Sequence, residues 1–406
     1  MKRVALLSAA ICIGALSSAA TACLNDRDTL AQEARGLPDA LQVVTGRFER
    51  NPPLFYEMRL KRVATQLKRD PSQLELFDDA AVASDRLGRS DEAIRWIELK
   101  RKQLAPFNAK DKMLREHWYR YYANGGTFWA HRWIRSGADR ARIGEMKTAT
   151  QMIKRAIEIK PNAHFGREKY QLKAMQWIVK PPPATPSPSS TRPILPDFLH
   201  LQDRAEQAFD FSKDDGTLGS MGLGDAAQGL AGLIALGNAW ESVDVFNTLS
   251  RTFVVSGKNS FAYAASLRAQ ELAHKGRASL VPGAPTGGAL AQMVAAPRAM
   301  VLDMSTQSPT QLQEIYTRLR TEADEYQKKR TAYMMARLEQ GQHPDTYAAF
   351  WQDWHDAGPP APVPFTIWEK HGSAFAIIAA GLLFSLTLLF RMRRRHALAV
   401  ASFLIS

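Results

Sequence analysis

The 406-residue sequence has almost no cysteine: Cys12 and Cys23 are the whole complement, and both stand in the first two dozen residues. A body without cysteine has no disulfide framework and no thiolate metal site. The absence of any CxxC or CxxCH removes thiol redox chemistry and c-type haem attachment from the readings of the body. The nine histidines are scattered with no pair at ligand spacing, and HExxH, GxSxG and the Walker Gly-Lys loop are all missing. Neither a cofactor nor a metal is expected, and the sequence does not read as an enzyme's. Gly216, Gly219, Gly222 and Gly224 form a Gly-rich stretch before a helix, but no strand precedes it. An inter-helix loop is the simpler reading than a phosphate cradle. Asp214-Asp215-Gly216 lacks the alternating oxygen ligands of a calcium loop.

What is present is a packable chain with an uneven charge. Hydrophobic residues make up 45%, near the globular average, and the length fits two or three domains. The net charge of +13 sits mostly in the first half. Residues 23–180 carry 31 Lys/Arg against 20 Asp/Glu, whereas residues 181–372 carry 16 against 20. A basic half suits an acidic partner or an anionic surface; the plainer reading is a solvated Lys/Arg face on helices.

Both ends are addressed to a membrane. Lys2 and Arg3, the apolar run Val4–Leu16 and the small-x-small triplet Ala20-Thr21-Ala22 make residues 1–22 a secretory signal peptide. Ala22-Cys23 resembles the end of a bacterial lipobox, although Ala20 stands where leucine is usual. Lipidation of Cys23 and ordinary cleavage before it both stay open. Ala374–Phe390 is 17 residues without a charge and, with Ser373, reaches the ~17–25 residues that span a bilayer. Trp368 precedes it, and Arg391, Arg393, Arg394 and Arg395 follow. Cations stay on the cytoplasmic side, so residues 373–390 are expected to cross once. The basic tail 391–406 then lies inside and the bulk of the chain outside, in a periplasm-like compartment.

The body reads as paired helices. From Leu74 onward, Phe77, Ala80, Ala81, Leu87-Gly88 and Ala93 stand at offsets that resemble a tetratricopeptide repeat, two antiparallel helices in ~34 residues. Pro71 ends the helix before it. The small residues let two helices approach, and Gly88 takes the left-handed turn between them. Ala149, Ile153, Ala156 and Pro161 match the second helix of a further copy. Pro71 and Pro161 are 90 positions apart, so two units of 34 leave about 22 residues over. The extra length is expected around Trp118–Tyr122 and in the Ser136–Arg142 turn. One more helix, 164–178, closes the series.

Residues 181–196, rich in proline, read as an extended linker. Beyond it, 225–236, 241–253 and 260–274 read as degenerate helix pairs, 278–300 as loop, and Ser308-Pro309 as the capped start of a helix to about Glu339. Its expected apolar stripe is Leu312, Ile315, Leu319, Ala323 and Tyr326, and its expected role is a stalk or docking helix before the membrane.

The expected fold is therefore all-α: helix-pair repeats of an α-solenoid in two segments, 23–180 and 197–360, plus one C-terminal membrane helix. The resemblance implies a scaffold that holds another protein, here with an acidic segment. The candidate partner-binding residues are Arg59, Lys61, Arg62, Lys68 and Arg69, with Trp118, Tyr122, Trp129 and Trp133 at helical spacing. A core role for the aromatics competes with this. Binding of an anionic polymer, a polysaccharide or nucleic acid, is the alternative, although a nucleic-acid partner is not expected. An enzyme within 197–360 is a further one, and an acid or base with a shifted pKa in a pocket would be its first sign.

Overall fold

The computed structural model describes residues 24–29, 39–161, 163–182, 193–201, 216–296 and 308–358, and no strand occurs among them. The expected signal peptide, Cys23, Trp368, the expected span 373–390 and the tail 391–406 lie outside the described residues, as does most of the proline-rich stretch. No helix among the described residues is long and apolar enough to cross a membrane.

The first helices are α1 (Ala40–Thr45), α2 (Pro53–Arg69), α3 (Leu74–Arg86) and α4 (Ser90–Gln103). Local chemistry sets their ends. Asp39 caps α1 by accepting the Gln42 amide at 2.8 Å. Pro53 opens α2, where its missing N–H costs nothing. Asp70 and Pro71 close it. Between α3 and α4, Gly88 has φ +78°, the left-handed turn expected of it. Ala80, Ala81 and Ala93 are fully buried, Phe77 nearly so, and Leu87 packs half-buried beside them.

Next come α5 (Lys112–Arg135), α6 (Ile143–Ile159) and α7 (Arg167–Val179). Ala149, Ile153 and Ala156 are fully buried on α6, which ends at Ile159 before Pro161. The length left over by the repeat spacing lies largely in α5, 24 residues long, which carries Trp118–Tyr122 as continuous helix. The Ser136–Arg142 turn, with a 3₁₀ segment at Arg140–Arg142, joins it to α6. Gly126 marks where α5 and α6 touch: a Cβ there would meet Ile153 at 2.8 Å and the Ala149 carbonyl at 3.0 Å. Each helix from α2 to α7 packs on the next, and α3 also packs on α5, so alternate helices share one layer.

The later helices are α8 (Gly216–Ser220), α9 (Ala226–Ala235), α10 (Val243–Val255), α11 (Asn259–His274), α12 (Gly287–Met293) and α13 (Pro309–Leu338). Contrary to the loop expected over 278–300, residues 287–293 are helical, with Leu290, Ala291 and Met293 buried against the core. Core residues come from both sides of the proline-rich stretch. Trp133, Ile153, Tyr170 and Trp177 share one apolar cluster with Leu195, Leu233, Phe246 and Leu272. Tyr170 donates its hydroxyl to Asp225 at 2.5 Å, joining α7 to the start of α9.

Helix α13 starts as expected, with Ser308 and Gln311 in a reciprocal capping box. It is not a stalk. It packs on α11, α1 and α2, and the buried line runs through Leu312, Tyr316, Ala323, Arg330, Met334 and Leu338. Ile315, Leu319 and Tyr326 are only half-buried, because the seam turns onto the Tyr316 side. After α13 the chain turns back. Tyr333 stacks on Trp351 at 5.6 Å and 9°, and Phe350 is buried with Phe55 and Met334.

One buried carboxylate makes the fold respond to pH. Asp244, in the first turn of α10, accepts the Ser279 hydroxyl at 2.6 Å and the Leu280 amide at 2.8 Å. Burial pushes it up to about 6, against the two hydrogen bonds. The folded pKa thus exceeds the unfolded value near 3.9. The folded chain holds a proton the unfolded one lacks between those limits, so this group adds stability as pH falls from about 7 to about 4. Two units correspond to about 3 kcal/mol. Asp244→Asn should abolish this window. In urea titrations the stability of wild type relative to the variant should rise by about 2–3 kcal/mol between pH 8 and pH 4.5. An unchanged difference would show that Asp244 is not held protonated.

Candidate functional site

The site is built on the layer of alternate helices. Residues 24–29 lie across it, non-helical from Leu24 to Asp26 and turning helical at Arg27. Asp26 caps that turn by accepting the Thr29 amide at 3.0 Å. Leu24 is fully buried in the apolar cluster of Ala81, Val82, Ala93, Ile97 and Phe128.

The main chain of this segment is held by side chains from several helices. Asn124 of α5 accepts the Asn25 amide at 2.8 Å and donates to its carbonyl at 3.2 Å. Arg167 of α7 donates to the Leu24 carbonyl at 2.9 Å. Asp79 of α3 accepts the Arg27 amide at 3.2 Å and its guanidinium Nε at 2.6 Å. Arg59 of α2 reaches Asp28 with two donors, at 2.6 and 2.9 Å, and Asp26 at 3.4 Å. A clamp on main-chain groups orders a peptide without reading its side chains. Here Leu24 and the two aspartates add the side-chain component.

Arg59 has a second set of partners. It forks onto Asp345 at 2.6 and 2.8 Å, and Arg62 also pairs with Asp345. His343 stacks on Phe55 at 4.6 Å and bonds its carbonyl through Nε2 at 3.0 Å. The turn after α13 is therefore fixed on α2. Burial opposes the charge on Asp345, but the bonds and charge of Arg59, with help from His343 and Arg62, hold its carboxyl well below the ordinary range. Burial and the neighbouring Asp26 push Asp28 up, and Arg59 opposes them.

The expected steering cations thus divide. Arg59 is fully buried and Arg62 half-buried, and both pair with the internal carboxylate of Asp345. Lys61, Lys68 and Arg69 remain exposed on α2. The aromatics divide as well. Trp133 is core, donating its indole N–H to the Asp139 carbonyl at 2.8 Å. Trp129 is half-buried beneath Arg132 at 4.0 Å. Trp118 and Tyr122, at the other end of α5, stack at 5.7 Å. The four do not line one groove.

The sequence reading missed Asp79, Asn124, Arg167 and the whole of 24–29. A signal was there: Asp78-Asp79 and Asn124 stand inside stretches whose neighbours are core residues, and a buried polar side chain needs a partner.

Beside the segment opens a cleft of about 220 Å³, lined by Asp26, Asp28, Phe48, Arg50, Tyr56 and Trp240, among others. Trp240 comes from the turn before α10. Arg86 fixes that turn through the carbonyls of Leu236 and Gly237, at 3.1 and 3.0 Å. Within 197–360, Asp244 has the raised pKa of a candidate acid, but both its oxygens are engaged, one by the Ser279 hydroxyl and the other by the Leu280 amide. No group of metal-ligating side chains occurs among the described residues. No protein-family model matches the chain, and no curated protein is similar to it.

Proposed function

We propose that this chain is a scaffold that holds another protein: helix-pair repeats of the tetratricopeptide type, exported, carried outside the membrane and anchored through residues 373–390. The observation that carries the reading is the clamp on residues 24–29. Alternate helices direct amide, carboxylate and guanidinium groups at the main chain of a segment that crosses them. A stacked-helix layer that can hold a segment this way suits a partner's segment. The net positive charge of the first half favours an acidic one. The test is crosslinking in the native membrane from a photoreactive residue at Lys68, with identification of what is captured. Recovery of one defined protein is expected; recovery of lipid or glycan alone would sink the scaffold reading.

A second reading rests on another place. Lys102, Lys110, Lys112 and Arg115 are exposed from the last turn of α4 to the first turn of α5, a stretch that also carries Phe107, 39% exposed, and Met113, 67% exposed, and Arg155 of α6 lies 5.6 Å over the Phe107 ring. This basic and apolar patch suits an anionic polymer. A homogeneous polyanion that abolishes capture would favour it over a protein partner.

A further inference from the structure

We infer that residues 24–29 are a ligand the scaffold carries in cis, and that the face of α2, α3, α5 and α7 beneath them takes a partner segment of the same chemistry in exchange. That chemistry is an aliphatic residue, an amide residue, then acids at the third and fifth positions. The inference rests on the scaffold reading and names what the site recognises.

Three observations carry it. The segment is bound as a ligand would be, by side chains of four separate helices rather than by pairing with any neighbouring element. The face beneath it is built without it. Helices α2, α3 and α4 pack successively, as do α5, α6 and α7, and α3 packs directly on α5. Two of the four clamps keep a second partner when the segment leaves. Asn124 still donates to Asp78, at 3.1 Å, and Arg59 still forks onto Asp345. Asn124 Oδ1 and the buried Asp79 carboxylate lose the bonds they make to Asn25 and Arg27, which favours exchange for a partner segment over simple release. What departure would create is the space of one leucine among Ala81, Val82, Ile97 and Phe128, and an incoming aliphatic side chain refills it.

The recognition elements follow from the contacts. The apolar cluster selects an aliphatic residue at the Leu24 position. Asn124 and Arg167 take main-chain groups and are indifferent to the side chain. Arg59 selects acids at the Asp26 and Asp28 positions, each held by charge-assisted bonds.

The probe is a fluorescent peptide with the sequence of residues 24–29, titrated against full-length chain by anisotropy. Wild type should bind it weakly, because its own segment competes at high effective concentration. Leu24→Asp, which ejects the tethered segment, should bind it at least tenfold more tightly. Adding Asn124→Ala to that variant should lose most of the gain, and so should a peptide with serine in place of its leucine. A Leu24→Asp chain that keeps its helical circular dichroism yet binds no better than wild type overturns the inference. If Leu24→Asp does not fold, hydrogen exchange of the wild type decides. Amides of 24–29 should exchange at least tenfold faster than those of 123–128; exchange of both in one cooperative event overturns it. A partner captured by the wild type, with no competition from the peptide, would sink this assignment and leave the scaffold reading standing.

Discussion

Replacing Lys100 by methionine should destabilise the chain by about 3–5 kcal/mol at neutral pH, the cost of leaving a buried charge without its partner. Lys100 and Asp78 are both essentially inaccessible, with Nζ 2.6 Å from the carboxylate. Burial pushes Asp78 up and Lys100 down, and each is opposed chiefly by the other. With the cation gone, Asp78 retains, among the described residues, the Asn124 amide at 3.1 Å and the charge of Arg120. It escapes by taking a proton, so the loss should shrink as pH falls towards 4.5. A second change, Asp78→Asn, removes the charge and should recover more than half of the loss, since replacing both members of a buried pair is far milder than breaking it. Urea titrations of the wild type, the single and the double variant check this. If the double variant is no better than Lys100→Met, the loss is one of packing and not of charge. The experiment also touches the face beneath residues 24–29, because Asn124 links this pair to the main chain of Asn25.

How much of this was legible follows from what periodicity can and cannot carry. The 74–103 helix pair was legible because small residues at fixed offsets have one geometric meaning: Ala80, Ala81 and Ala93 are all fully buried where two helices meet. The start of α13 was legible because a capping box is a local device. The return of the chain after α13 was not. It depends on Asp345 meeting Arg59 across 286 positions, and no local pattern states that. Charge counting is blind to position: Lys100 sits in the run Lys100-Arg101-Lys102 and is the one of the three that is buried. Arg59 could have been found. Phe55, Arg59 and Val63 stand four apart on one face of α2, so an arginine on the apolar stripe announces buried acids elsewhere. The segment 24–29 lies just past the expected cleavage point and is too short to carry a periodic apolar pattern, so nothing local marks it as packed structure.

Arg59 is the residue on which the segment 24–29 and the C-terminal turn both depend. It is fully buried, lies 4.5 Å over the Phe55 ring, and forks onto Asp28 on one side and Asp345 on the other. Burial disfavours its charge, but Asp28, Asp345 and Asp26 outweigh that and hold the guanidinium well above its ordinary value. Arg59→Met should leave the three carboxylates facing one another, with Arg27 and Arg62 as the nearest cations, at a cost of about 3–5 kcal/mol. The pH dependence identifies the cause. In the wild type Asp345 has a depressed pKa, so its stabilisation is complete above about pH 4 and fades below it. In the variant the carboxylates repel, their pKa values rise, and protonation relieves the repulsion. Between pH 7.5 and 4.5 the wild-type Asp345 term is constant, so the relief of repulsion in the variant is what narrows the gap between the two chains. A gap of the same size at both pH values would mean that the alkyl stem and ring contact, not the ion network, supply the stability. Arg59→Lys should restore only part of the loss, since an ammonium is a point charge and cannot fork onto two carboxylates. Hydrogen exchange should then separate the two clients of the residue. Amides of 24–29 and of 343–350 should lose protection together in Arg59→Met, whereas Asp345→Asn should release the second region and leave the first held by Asn124 and Asp79.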